Sequence, residues 1–240
     1  MIRGVILFIL SLWAMFTHAA SLQVAPILLE FNPNEKIQEL WLMNTGDETI
    51  RAQVRAKSWT QKENQNVLED TKDLIASPMI LSIQPGQKQL VRVVKLNPTL
   101  TTEQAFRLIV DELPSDKAIK INGVQLLLQY SIPVFFKAPS TQPVITDPKK
   151  PMPLNGVQFS FKDHQLIVKN QSSHYIRLSQ LNYIDETGKN IPVLGGLVGY
   201  ALVGQMMQWP IPKGIAISPK GHFEALINSD DIAQPLPLTP

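Results

Sequence analysis

The sequence contains no cysteine among its 240 residues. That excludes a disulfide framework, a thiol nucleophile and any Cys-ligated zinc or iron–sulfur centre. Aromatic residues make up only 7%, and the four histidines (18, 164, 174 and 222) are scattered rather than spaced as ligands. No HExxH, GxSxG or GxxxxGKS/T string occurs, so the motif-borne hydrolytic and nucleotide-binding chemistries have no foothold. Neither charge sign dominates: Lys+Arg 22 against Asp+Glu 20 leaves +2, too balanced for a protein that neutralises phosphates. No stretch carries a sustained 3.6-residue apolar period, so helices are not expected. What is present is 44% apolar residues and 19 prolines, enough apolar surface for packed cores and a chain divided into short segments. A protein that is not an enzyme and needs no cofactor or metal is the expectation.

One apolar run stands apart. Met1-Ile2-Arg3 is a short basic start, Gly4 to Phe16 is almost wholly apolar, and Thr17-His18-Ala19-Ala20 supplies small residues at a cleavage site. Thirteen residues make about 20 Å of helix, short of the roughly 30 Å hydrocarbon core of a bilayer. The segment reads as a signal peptide over residues 1–19, with an uncleaved anchor as the alternative.

The remaining chain alternates short apolar runs with turn residues, the pattern of an all-β sandwich. Leu22 to Phe31 and Gln38 to Met43 precede turns at Asn32-Pro33-Asn34 and Asn44-Thr45-Gly46-Asp47. Ile50, Ala52, Val54 and Ala56 alternate with Arg51, Gln53, Arg55 and Lys57, the period of a half-buried strand. Pro85-Gly86 marks another turn before Gln89 to Leu96; Phe106 to Leu113 and Val124 to Phe136 follow, making about seven strands. Five prolines fall between Ala138 and Pro153, where an extended linker separates two units. The division expected is a first domain over 20–139, a linker over 140–153 and a second β domain over 154–240. The second domain's strands are placed at Val157–Phe161, Gln165–Lys169, Tyr175–Tyr183, Ile191–Leu194, Tyr200–Trp209 and His222–Ile227, with a frayed tail from Gln234.

The run Val124-Gln-Leu-Leu-Leu-Gln-Tyr-Ser-Ile-Pro-Val-Phe-Phe136 is unusually long for a strand. One face carries Val124, Leu126, Leu128, Tyr130, Ile132, Val134 and Phe136. Two readings stand side by side: a central strand covered on both faces, or a strand whose first half extends past its own core as an edge for a partner.

With Lys137 and Pro139 following, this segment resembles the last strand of the first domain in the periplasmic pilus chaperones of the chaperone–usher pathway, the PapD-like family. Phe106-Arg-Leu-Ile-Val-Asp-Glu-Leu-Pro114 resembles the preceding strand, and the Asn44 turn and Pro85-Gly86-Gln87 also fit. Leu166-Ile-Val-Lys-Asn170 and Tyr200-Ala-Leu-Val-Gly204 with Trp209 resemble the branch called archaic. The resemblance implies two immunoglobulin-like β-sandwiches set at an angle, a periplasmic location, pilus subunits as partners and an outer-membrane usher as recipient. It implies donor-strand complementation through Val124, Leu126, Leu128 and Tyr130, with Leu113 of the neighbouring strand also facing the subunit. Members of the family bind the subunit's terminal carboxylate through an Arg and a Lys, whose places fall here near Leu28 and on Pro133, neither able to bind an anion. Arg107, six residues before Leu113 and therefore on its strand face, is the replacement candidate, against a solvated strand charge. Lys137 is a second candidate. A structural pilus subunit or adhesin and an exported carbohydrate-binding β protein are the rival functions. Asn170-Gln171-Ser172 matches a glycosylation sequon, and Asp111-Glu112 reads as structural.

Overall fold

The computed structural model describes residues 22–96, 100–114, 126–139, 151–228 and 230–239. The expected signal peptide and positions 140–150 of the expected linker lie outside the described residues. All regular structure in the described residues is β.

The first unit holds ten strands among the described residues rather than about seven. They are β1 (Leu22–Ala25), β2 (Leu29–Phe31), β3 (Ile37–Asn44), β4 (Ile50–Lys62) and β5 (Gln65–Asp70). Then come β6 (Leu74–Ser77), β7 (Ile80–Ile83), β8 (Lys88–Lys95), β9 (Gln104–Leu113) and β10 (Gln129–Phe136). They form a sheet in the order β1-β3-β8-β6 and another in the order β2-β10-β9-β4-β5, with β7 also on β4. The run read as one strand, Leu22 to Phe31, splits at Pro26: β1 pairs antiparallel with β3, and β2 crosses over to pair parallel with β10. Alternate residues of both sheets, among them Leu42, Val54, Val91, Leu108 and Val134, fill the core between them. Strand β4 changes its buried side along its length. Ile50, Ala52 and Val54 face the core, whereas Trp59 and Gln61, of opposite parity, are buried on the outer face.

The second unit contains β11 (Val157–Lys162), β12 (Gln165–Asn170), β13 (Ile176–Ile184), β14 (Asn190–Ala201), β15 (Met206–Pro210), β16 (His222–Ile227) and β17 (Gln234–Pro235). Its sheets run β11-β12-β15 and β14-β13-β16-β17 around a core including Phe159, Val168, Leu178 and Phe223. The strand expected over Tyr200–Trp209 is two strands in different sheets, because the chain turns between Leu202 and Gln205. The tail is not frayed: β17 pairs with β16, Leu236 is buried and Thr239 N–H donates to the Phe159 carbonyl. Gly199 permits a close approach, since a Cβ there would lie 2.5 Å from Trp209 Nε1.

One local device recurs in both units. Asn44 is fully buried; its amide donates to the Glu48 and Ile83 carbonyls, and its Oδ1 accepts the Gly46 N–H. Asn170 repeats this: its amide donates to the His174 and Ala201 carbonyls and its Oδ1 accepts the Ser172 N–H. Gly86 and Gly204 donate to the respective Asn carbonyls. Burial of Asn170 also removes the sequon from the surface.

Candidate strand-pairing edge

The site grows out of how β10 is paired. On one side β9 runs the full length of the strand, from Gln129↔Asp111 to Phe136↔Gln104. On the other, β2 covers only Val134 to Phe136. On that second side Gln129 to Pro133 therefore have no strand beside them among the described residues.

The direction of the free groups follows from one bond. Glu112 N–H donates to the Leu128 carbonyl at 2.8 Å, so in this register the even-numbered residues of β10 point their backbone groups at β9. The odd-numbered residues point the other way, as the Lys137 N–H donating to the Phe31 carbonyl at 2.9 Å agrees. The open edge thus presents the N–H groups of Gln129 and Ser131, and at Pro133 it presents none. That is why a proline is tolerated inside this ladder: its missing donor falls on the side away from β9.

The thirteen-residue strand expected from Val124 is shorter. Regular pairing begins at Gln129, residues 126–128 have no regular structure, and Val124 lies outside the described residues. Leu126 is 83% exposed and Leu127 is also exposed. Leu128 and Tyr130 are half-buried and pack against the end of the first core; the Tyr130 hydroxyl donates to the Leu22 carbonyl at 2.6 Å. An apolar row thus leaves the core at Tyr130 and emerges into solvent at Leu126. Leu113 shares a face with Arg107, as its parity requires, but that is the outer face of the sheet. The register sets Asp111 and Arg107, of the same parity as Leu113, across from Gln129 and Pro133, so Leu113 lies on the face away from Tyr130.

Arg107 occupies the same outer face, directly across from Pro133. One Nη donates to the Ser131 carbonyl at 3.2 Å, so the guanidinium reaches the open edge where ladder donors run out. Its guanidinium carbon lies over the Trp59 ring, 3.7 Å from the ring centre. Burial pushes its pKa down to about 10, and the Tyr200 phenol opposes that shift. No carboxylate pairs with it among the described residues. Lys137 differs, because its Nζ lies 3.0 Å from Glu30 Oε2, and Glu30 Oε1 accepts the Tyr175 hydroxyl at 2.9 Å. Of the two candidate cations, Lys137 already has its counter-charge. Leu28, where a basic residue was sought, packs against aromatic residues between the two sandwiches.

The carboxylate pair is structural in its contacts. Asp111 accepts two bonds from Arg55 and one from the Gln129 amide, and Glu112 accepts the Leu128 N–H at 3.3 Å. Sequence reasoning did not single out Trp59, Glu30 or Glu103, and it met Tyr200 only at the head of a family motif. The signal available for Trp59 and Gln61 was their parity, opposite to the alternation that precedes them in one continuous strand.

A protein made of two sandwiches, one of which leaves part of a ladder open beside an emerging apolar row, is built to bind by strand addition. The chain belongs to the pili and flagellar-assembly chaperone family: the model of its PapD N-terminal domain matches residues 21–142. Among solved structures, the CsuC–CsuE chaperone–tip adhesion subunit pre-assembly complex from archaic chaperone-usher Csu pili of Acinetobacter baumannii is similar at 25% identity and a TM-score of 0.66. The match covers 90% of this chain and 97% of that one. The Escherichia coli chaperone DraB shares the fold at 18% identity and a TM-score of 0.62, covering 91% and 97%. So does the structure of Salmonella enterica SafA pilin with the SafB chaperone, at 13% and 0.63, covering 92% and 96%. No curated protein matches the chain.

Proposed function

We propose that the chain is a non-enzymatic chaperone of the periplasm that captures pilus subunits by lending them the leading part of β10, and passes them to an outer-membrane usher. The observation that carries this reading is the open edge at Gln129 to Ser131, continued by an apolar row that ends in the exposed Leu126. A subunit lacking one strand of its sandwich has an apolar groove and unpaired backbone groups. Val124, Leu126 and Leu128 fill such a groove, at roughly 1.5–3 kcal/mol for each side chain fully removed from water. The N–H groups of Gln129 and Ser131 extend the subunit's ladder, each bond worth a net 0.5–1.5 kcal/mol or so. Arg107 takes the subunit's terminal carboxylate. Beyond Ser131 the edge has no donor for another backbone carbonyl, and a guanidinium offers parallel N–H groups to an anion. Leu113, on the outer face, lies to the side of this groove. Residues 1–19 direct export, and no described helix is long and apolar enough to cross a membrane.

The rival reading as a pilus subunit gives way to a specific feature: β10 fills its own sandwich between β2 and β9, so this first domain is not missing its last strand. The test is co-purification from periplasm with pilins encoded beside the chain. A pilin recovered bound to it supports the reading, and pilins that accumulate equally well without it contradict it.

A further inference from the structure

Arg107 is held by both halves of the molecule. The Trp59 ring, on β4 of the first sandwich, lies 3.7 Å from the guanidinium carbon, and the Tyr200 ring, on β14 of the second, lies 5.3 Å from it. The two rings meet edge to face at 5.2 Å. Both are tied to one side chain, because the Gln61 amide donates to Asn66 Oδ1 at 3.1 Å as well as to the Tyr200 carbonyl. The Trp59 indole N–H donates to Asn66 Oδ1 at 2.9 Å. Tyr200 is pinned through its backbone: the Gln61 amide donates to its carbonyl at 2.8 Å, and Leu202 N–H donates to Gln61 Oε1 at 2.9 Å.

A long flexible cation loses rotamer freedom when it grips an anion, and that loss weakens binding. A guanidinium already seated over one ring and flanked by another has lost part of it beforehand. The geometry points to Tyr200, together with Trp59, as positioning residues that hold Arg107 at the end of the open edge, so that the second sandwich takes part in reading a partner's terminal carboxylate. This rests on Arg107 as the carboxylate anchor. It adds that the first domain's edge alone discriminates chain ends poorly, because one wall of the anion site comes from β14.

The experiment compares two synthetic peptides of the last strand of a co-purifying pilin, one with a free carboxylate and one with a terminal amide, on the full mature chain. The readout is the ratio of their dissociation constants. Wild type is expected to favour the acid by at least about tenfold, the scale of one charge-assisted contact. Arg107→Ala should bring the ratio near one. Tyr200→Leu, which keeps apolar volume and both Gln61 bonds, should lower it about fivefold, and Tyr200→Phe should restore it. Gln61→Ala removes no ring but frees both the Tyr200 backbone and Asn66, the partner of Trp59, and should lower the ratio in the same direction even if Tyr200→Leu fails to fold. If Arg107→Ala abolishes the preference while Tyr200→Leu and Gln61→Ala retain it, the positioning role is overturned and the anchor stands. If wild type binds both peptides equally, or neither, the anchor reading itself falls.

Discussion

Asn44 illustrates how much a single buried amide organises. It satisfies the buried Ile83 carbonyl together with the Glu48 carbonyl and the Gly46 N–H of the adjoining turn, and so joins the end of β3 to the turn after it and to the end of β7. An unsatisfied buried backbone group costs about 1–3 kcal/mol, so Asn44→Ala should destabilise the first sandwich by about 3 kcal/mol. Urea unfolding followed by near-UV circular dichroism checks this, and an unchanged midpoint would show that water replaces the amide. Asn170 makes the same bonds in the second sandwich. It was legible in the sequence only as a sequon and a family motif, because nothing in the order of residues shows which asparagine a fold will bury. Arg107 was legible by parity from Leu113, whereas Lys137 and its partner Glu30 lie 107 positions apart. No local pattern connects such a pair.

At the scale of elements, the alternation that marked the first half of β4 and β8 reflects their burial against a single core, and that is why it could be read. Two features escaped it. The pattern of β4 inverts where a second sandwich covers its outer face, a fact of tertiary contact. The start of β10 escaped as well. Val124 to Leu128 has the composition of a strand, yet 126–128 has no regular structure, because an extended segment needs a neighbour for its backbone groups. The same feature makes a prediction. Leu128 is half-buried at the rim of the core, so Leu128→Glu should cost the free protein only about 1 kcal/mol while abolishing pilin capture, since an unpaired carboxylate in the completed groove is far more costly. Circular dichroism of the free variant and its yield of co-purified pilin decide this. Loss of the β signal would place Leu128 inside the chaperone's own core.

The whole molecule depends on the joint between sandwiches, where Trp59, Phe135, Tyr175, Tyr200 and Leu202 pack together and Phe135 stacks on Tyr175 at 3.6 Å. Beside them Glu103, its side chain only 3% exposed, accepts the Tyr175 N–H at 2.7 Å and lies 3.6 Å from His174 Nδ1. Burial pushes the Glu103 carboxyl above its ordinary value of 4.5, against the smaller opposing effects of the His174 and Tyr175 contacts. The folded state then holds this proton more tightly than the unfolded state. Its contribution is complete below about pH 4.5 and is lost as pH rises through the raised value. Glu103→Gln should therefore melt at a higher temperature than wild type at pH 7, with the two converging at pH 4; melting curves offset equally at both pH values would contradict the assignment. The central claim, that a partner strand adds to the open side of β10, is tested most directly by residue-resolved amide hydrogen exchange on the free chain and on its pilin complex. Tyr130 and Ile132, which point at β9, should be protected in both states, whereas Gln129 and Ser131 should exchange quickly when free and slowly when bound. Equal exchange of Gln129 and Ser131 in the two states would mean that the subunit is held somewhere else.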